Sequence, residues 1–334
     1  MDEGKIRILV RAPNWLGDAI MGLPFLENLR YIYPKSHIGV WCKPHLRPLF
    51  KAYSKINQVI TYPNSVFSLL TSCLKLRYFS ACILLPNSFS SALSAFFTRI
   101  PQRIGYATDG RNLLLTQRYP PPDQEALHQI DYYLRLLKCM GHKVKHCVPT
   151  LNTLPEGEEE QKRLRLKYGW QRDYIVFAPG AAYGSAKCWP PAYFAELAKK
   201  IKKTGQDVLI LGNQKDNSIA RKILGYLGDN KKGIYNLTGL TSLAGAMSIV
   251  KKSILVVTND SGLMHLTAAL RHSQIALFGP TNPKRTAPYG ETTKIIYHQV
   301  PCAPCKYRQC PKDHICMRQI TVEEVFKIIE EALS

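Results

Sequence analysis

Residues 258–265, Thr-Asn-Asp-Ser-Gly-Leu-Met-His, put small polar side chains, one glycine and one carboxylate between two apolar stretches. The run before them, Ser253–Val257, reads as a strand. The pattern after them, Leu263–Leu270, reads as a helix. A strand-to-helix turn of this kind presents unpaired backbone N–H groups at a helix N-terminus, where the dipole favours an anion. Ser261, Gly262 and Leu263 are the candidate N–H donors, and Asp260 is the carboxylate. A second polar turn, Gly180–Pro190, also follows an apolar run and carries Lys187. A third, Gly279-Pro280-Thr281, ends another run and adds a hydroxyl. Together they predict a diphosphate site at the carboxyl edge of a parallel sheet.

Each residue also has an ordinary reading. Lys187 is either a solvated surface lysine or a point charge on a leaving diphosphate. Asp260 is either a helix cap or part of the anion loop. His265 reads more simply as a hydrogen-bonded core residue. Asp18 follows Gly17 after the first predicted strand; it is an N-cap, a general base for a hydroxyl, or both. No Walker or Rossmann glycine fingerprint accompanies these turns, which counts against a kinase or a dehydrogenase. No Asp-x-Asp pair occurs, so a metal–diphosphate held by such carboxylates is not expected. Lysine, hydroxyls and helix N-termini must then stabilise the leaving group.

Ten cysteines are present, four of them clustered as Cys302-x2-Cys305-x4-Cys310-x5-Cys316. Zinc or an iron–sulfur cluster fits such ligand types. The spacing is uneven and broken by prolines, with Lys306, Arg308 and Lys312 alongside, so reduced, metal-free thiols are the expectation.

The elements that must hold these turns alternate. Lys5–Val10 is a strand, Ile20–Ile32 a helix, His37–Cys42 a strand, Cys82–Leu85 a strand, and Phe89–Phe97 an apolar helix. A charged helical segment, Pro155–Lys167, marks the boundary. The alternation restarts with strand Tyr174–Ala178, helix Pro191–Lys203, strand Asp207–Leu211, helix Asp216–Leu227, a helix opened by Thr241, and strands at Ser253–Val257 and Ile275–Phe278. This is parallel β/α construction. Two domains are predicted, 1–165 and 166–320. Thr321-Val-Glu-Glu324 is a capping box opening a final helix, 321–334, able to pack back across the interface.

Length and charge bound the partners. At 334 residues, 46% of them apolar, the chain can fill two cores. The first residues lack a signal-peptide layout, and no run approaches the roughly 20 apolar residues needed to span a bilayer. A cytoplasmic protein is expected. A formal charge of +21 implies an anionic partner. Basic residues are scattered and no nucleic-acid-reading motif appears, so nucleic acid is not the expected one.

Taken together, these segments resemble glycosyltransferase family 9, the bacterial heptosyltransferases. The resemblance is carried by Asn14–Asp18, Leu85–Phe89 with Ser91–Leu93, Pro179–Ala181, Ala186–Pro190, Thr258–His265 and Phe278–Pro280. It implies an α/β chain of the GT-B fold, two Rossmann-like domains facing a central cleft, with acceptor in the first and nucleotide-sugar in the second. By likeness, Asp18 falls on the catalytic base, Lys187 on a phosphate-contacting lysine, and Asp260 to Leu263 on the nucleotide-phosphate loop. Asn14, Asn87 and Ser88 fall on the acceptor side. Some members carry a ribose-binding glutamate after the strand ending at Leu211. This chain has Gly212-Asn-Gln-Lys-Asp216, which leaves Asp216 as the candidate. The implied reaction moves heptose from ADP-heptose onto the lipopolysaccharide inner core, with inversion and no cofactor. The implied site is the inner face of the cytoplasmic membrane, where the protein would be peripheral. Another nucleotide-sugar or acceptor within the family, or a non-catalytic nucleotide- or nucleic-acid-binding protein, are the rival readings.

Overall fold

The computed structural model describes residues 6–62, 73–123, 125–305 and 307–333. Lys5 and Lys306 lie outside them. The chain forms two units, Met1–Pro149 and Thr150–Ser334.

The first unit carries β1 (Arg7–Arg11), β2 (His37–Cys42), β3 (Gln58–Thr61), β4 (Ala81–Leu84), β5 (Gln102–Tyr106) and β6 (Gln117–Tyr119). All pairings are parallel, in the order β3-β2-β1-β4-β5-β6. The second carries β7 (Tyr174–Ala178), β8 (Asp207–Ile210), β9 (Ile234–Asn236), β10 (Val256–Asn259), β11 (Gln274–Phe278) and β12 (Thr293–Tyr297), ordered β12-β11-β10-β7-β8-β9. Numbered within its own unit, each sheet runs 3-2-1-4-5-6, the doubly wound order. Two Rossmann-like units in one chain are the GT-B class of α/β fold.

Burial explains the strand sequences. Strands covered on both faces read as unbroken apolar runs. Every residue of β4 and β7 is buried. Around β4 the core joins Leu9, Trp41, Phe79 and Leu84. Around β7 it joins Ile175, Phe177, Trp189 and Phe194.

Three boundaries differ from expectation. The helix predicted at Ile20–Ile32 is two helices, Leu16–Met21 and Leu23–Ile32. Pro24 lacks an N–H and fits only a first turn, so it restarts the helix. The helix Pro155–Tyr168 belongs to the second unit, placing the break at 149/150 rather than 165. It lies tight on helix Leu243–Lys251: a Cβ on Gly157 would stand 2.2 Å from the Ala244 carbonyl oxygen, and Glu160 accepts from the Ser242 N–H at 2.8 Å. The final helix, Val322–Leu333, packs on helix Pro191–Lys203 and buries Val322, Val325 and Ile329 in the second unit's own core. Its apolar face is filled there. The expected capping box contributes a bond from the Glu324 N–H to Thr321 Oγ1 at 3.1 Å. Among the described residues no helix is long and apolar enough to cross a membrane.

Candidate active site

A doubly wound sheet offers its ligand site at the carboxyl ends of the two strands where the order reverses. In the first unit these are β1 and β4, and in the second β7 and β10. The predicted residues fall after these four strands, except Asp216 and Thr281. Asn14 and Asp18 follow β1, Asn87 and Ser88 follow β4, Lys187 follows β7, and Asp260–Leu263 follow β10. Asp216 follows β8, and Thr281 follows β11.

In the second unit, β10 runs two residues further than predicted, so Thr258 and Asn259 end the strand and are fully buried. A buried amide needs partners, and Asn259 has them. Its Nδ2 donates to Pro179 O at 2.7 Å, and its Oδ1 accepts from the Trp189 N–H at 3.1 Å. One side chain therefore ties both ends of the Pro179–Trp189 loop to β10. The indole of Trp189 donates onward to Ile320 O at 2.9 Å.

Lys187 Nζ lies 2.6 Å from Asp260 Oδ2, and Thr281 Oγ1 donates to the same oxygen at 2.7 Å. Both charged side chains are largely buried, 13% and 6% exposed. The bland reading of Lys187 as a solvated surface lysine therefore fails. Asp260 spends this oxygen on holding a cation and a hydroxyl. The next residues start a helix: Ser261 is the N-cap of helix Gly262–Ala269 and makes no side-chain cap hydrogen bond, and Gly262 and Leu263 open it. Ser261 Oγ instead sits 3.3 Å from Thr258 Oγ1. A buried ammonium beside an uncapped helix N-terminus is suited to a diphosphate. His265 is buried in that helix at 4% exposure.

Asp216 closes a short capping box, its Oδ2 accepting from the Asn213 N–H at 2.8 Å. It packs so closely on Gly180 that a Cβ there would stand 2.2 Å from its Oδ1. Burial pushes its carboxyl above the usual range, with the Asn213 N–H opposing. The carboxylate thus adjoins the same loop that carries Lys187.

In the first unit, Asp18 is not the N-cap. Trp15 is, and Asp18 lies in the first turn of helix Leu16–Met21, where the dipole favours its charge. Its carboxylate is near enough to Tyr133 to help burial raise that phenol. Asn14 is fixed by two contacts: Oδ1 accepts from the Tyr62 hydroxyl at 2.7 Å, and its carbonyl is 3.2 Å from His45 Nε2. The Arg11 guanidinium lies 4.0 Å over the Tyr62 ring and backs that contact. Asn87 donates its Nδ2 to the Tyr132 hydroxyl at 2.7 Å, while its buried Oδ1 has no partner among the described residues. Ser88 is exposed and caps helix Phe89–Phe97, accepting from the Ser91 N–H at 3.3 Å.

Sequence reading missed the residues that shape these loops. Asp109 Oδ2 accepts from the Phe89 N–H at 2.6 Å, and Thr108 Oγ1 donates to Asn87 O at 2.9 Å. Arg111, fully buried, donates to Pro86 O and to Ser91 Oγ. The Thr-Asp-Gly turn at 108–110 was the available signal. On the donor side, the Tyr183 ring lies under Lys187 Nζ at 5.2 Å and under the Arg308 guanidinium at 5.5 Å.

With that geometry in place, the comparisons are specific. A model of glycosyltransferase family 9 (heptosyltransferase) matches residues 69–316. Lipopolysaccharide heptosyltransferase 2 of Escherichia coli strain K12 is 32% identical over 320 residues, covering 88% of this chain and 90% of that protein. The protein of the same name from Salmonella typhimurium strain LT2 is 33% identical over 315 residues, covering 88% and 90%. The solved structure of E. coli ADP-heptose LPS heptosyltransferase II aligns with a TM-score of 0.85, 29% identity and 98% coverage of both chains.

Proposed function

The chain belongs to glycosyltransferase family 9, the heptosyltransferases, and from that premise we propose that it moves heptose from ADP-heptose onto the heptose of the lipopolysaccharide inner core. The observation that carries the donor half is the contact of Lys187 and Thr281 with one oxygen of Asp260, at the uncapped start of helix Gly262–Ala269. Binding ADP-heptose puts the β-phosphate on Lys187 and on the N–H groups of Ser261, Gly262 and Leu263. Asp216, against Gly180, takes the ribose hydroxyls. As the bond from the anomeric carbon to the diphosphate breaks, negative charge grows on the leaving oxygen, and these donors stabilise it without reorganising.

Asp18 supplies the other half. It takes the proton of the acceptor hydroxyl as that oxygen attacks the anomeric carbon from the face opposite the diphosphate, which inverts the configuration. Asn14, Asn87 and Ser88 orient the acceptor. The unpartnered Asn87 Oδ1 suits a sugar hydroxyl. No metal or cofactor takes part in the transfer. The +21 charge suits an anionic acceptor at an anionic membrane surface, where the protein docks peripherally at the cytoplasmic leaflet.

The test is donor discrimination. Purified protein is given a lipopolysaccharide acceptor truncated after its first heptose, with ADP-heptose, ADP-glucose or a UDP-sugar, and nucleotide release is followed. Release from ADP-heptose alone, and only with acceptor present, supports the reading. Equal or greater release from another nucleotide-sugar sinks it.

A further inference from the structure

The transfer reaction leaves Cys302, Cys305, Cys310 and Cys316 unused. Their spacing alone gives no reason to bring four thiols together, but the fold does. All four line one cavity of about 20 Å³, with Ala186 and Pro280 in its wall. That volume holds about one water-sized sphere, the room a single ion requires. Cys316 is buried. Among the described residues no three such side chains are already closed into an ion cage. Protonated thiols have no cause to close, because the thiolate is the ligand and metal binding displaces its proton.

A second observation is the lack of any element in this stretch. Between β12, ending at Tyr297, and helix Ile315–Arg318, no described residue lies in a helix or strand. Irregular segments of this length inside a compact unit are uncommon, and ordered ones are usually functional. The segment nevertheless packs on both loops of the proposed donor site. The Cys305 N–H donates to Pro280 O at 2.8 Å, and the Ala186 N–H donates to Arg308 O at 3.0 Å. His314 gives its Nε2–H to Ala186 O at 2.6 Å, which commits that nitrogen to the backbone. Ala186 and Pro280 are the residues preceding Lys187 and Thr281.

We propose that Cys302, Cys305, Cys310 and Cys316 bind one thiophilic divalent ion, zinc or ferrous iron, as a closed four-thiolate site that fixes this segment against the loops bearing Lys187 and Thr281. Four ligands leave no open position, so the ion is structural. Each thiol gives one proton to solvent as its sulfur–metal bond forms, and the site gains a net charge of two minus. Arg308 and Lys312, within the same segment, offset it.

The test is metal content. Full-length protein is purified without chelator from two cultures, one supplemented with zinc and one with iron. Elemental analysis should find about one ion per chain, and the two cultures identify which. Cys305→Ser and Cys310→Ser should lose it, while Cys139→Ser, in the first unit, should keep it. Should the serine variants not fold, metal-stripped wild type is titrated with Co²⁺; a sulfur-to-cobalt charge-transfer band with intense tetrahedral d–d absorption is expected. Metal-poor protein from both cultures with no cobalt band overturns the proposal. So does metal content unchanged in Cys305→Ser, or mapping of these cysteines as disulfides. None of these readouts depends on transferase activity.

Discussion

Lys187 and Asp260 stand 73 residues apart in sequence and 2.6 Å apart in space. The pair joins the loop after β7 to the loop after β10, the two strands at which the second sheet reverses its order. The contact fixes the position of the ammonium beside the start of helix Gly262–Ala269. Lys187→Ala should weaken ADP binding about 10–100-fold, the size of one charge-assisted hydrogen bond. Asp260→Ala should weaken it too, by releasing the lysine, and the double variant should cost less than the sum of the singles. Calorimetric titration with ADP measures all three. Strict additivity would mean that the two side chains act separately.

Asp18 lies in the first turn of its helix without capping it. Asp18→Asn should cut turnover at least ~100-fold, a typical share for general-base catalysis. The thermal midpoint should move little, since asparagine keeps the shape of the side chain and one amide oxygen as acceptor. Steady-state kinetics and a melting curve check both halves. Near-wild-type turnover removes Asp18 from the mechanism.

Gly184 ties the Lys187 loop to the cysteine-rich segment. A Cβ there would stand 2.2 Å from the Arg308 carbonyl oxygen, with no flexible side chain to yield. Gly184→Ala should therefore shift one backbone against the other and destabilise the protein by about 1–3 kcal/mol, the usual cost of overpacking. ADP affinity should fall with it. Unchanged denaturation and unchanged affinity would show that the two backbones part freely.

His272 gives a pH dependence of stability. Its Nε2 is 2.9 Å from Ser253 Oγ, whose single proton goes to Val250 O. The ring nitrogen must then be the donor there. Burial first, and the Lys251 cation second, lower its pKa from 6.5 to about 4. Below pH 6.5 the unfolded chain takes up a proton that the folded ring refuses, so stability is full above 6.5 and falls as pH drops toward 4. Allowing for partial exposure, the loss is on the order of 1–2 kcal/mol. His272→Gln should flatten urea-denaturation stability across that window. An equal slope in the variant would place the dependence elsewhere.

The strands that carry the site were the legible ones. β4, β7 and β11 are buried on both faces and read as apolar runs, and β1 does so after its exposed first residue. β3, β6, β9 and β12 lie at or beside sheet edges, and partial exposure mixes polar residues into them, as in Gln117-Arg118-Tyr119. β5 opens with exposed Gln102 and half-buried Arg103 and went unread for the same reason. With it went the turn that holds Asn87 and Phe89. The end of β10 was misread because Thr258 and Asn259 look like loop residues; only the fold shows the partners that let Asn259 be buried. The Lys187–Asp260 contact spans 73 residues of sequence and has no local pattern to announce it, whereas the cysteine cluster was visible as a spacing and only its shared cavity was not.

The most direct test of the account is the mass and linkage of the product. Wild-type protein is incubated with ADP-heptose and a lipopolysaccharide acceptor truncated after its first heptose. Mass spectrometry of the recovered lipid should show the addition of one heptose unit, and NMR should place it on the existing heptose with inverted anomeric configuration. An acceptor of unchanged mass, or a sugar joined with retained configuration, would contradict the account.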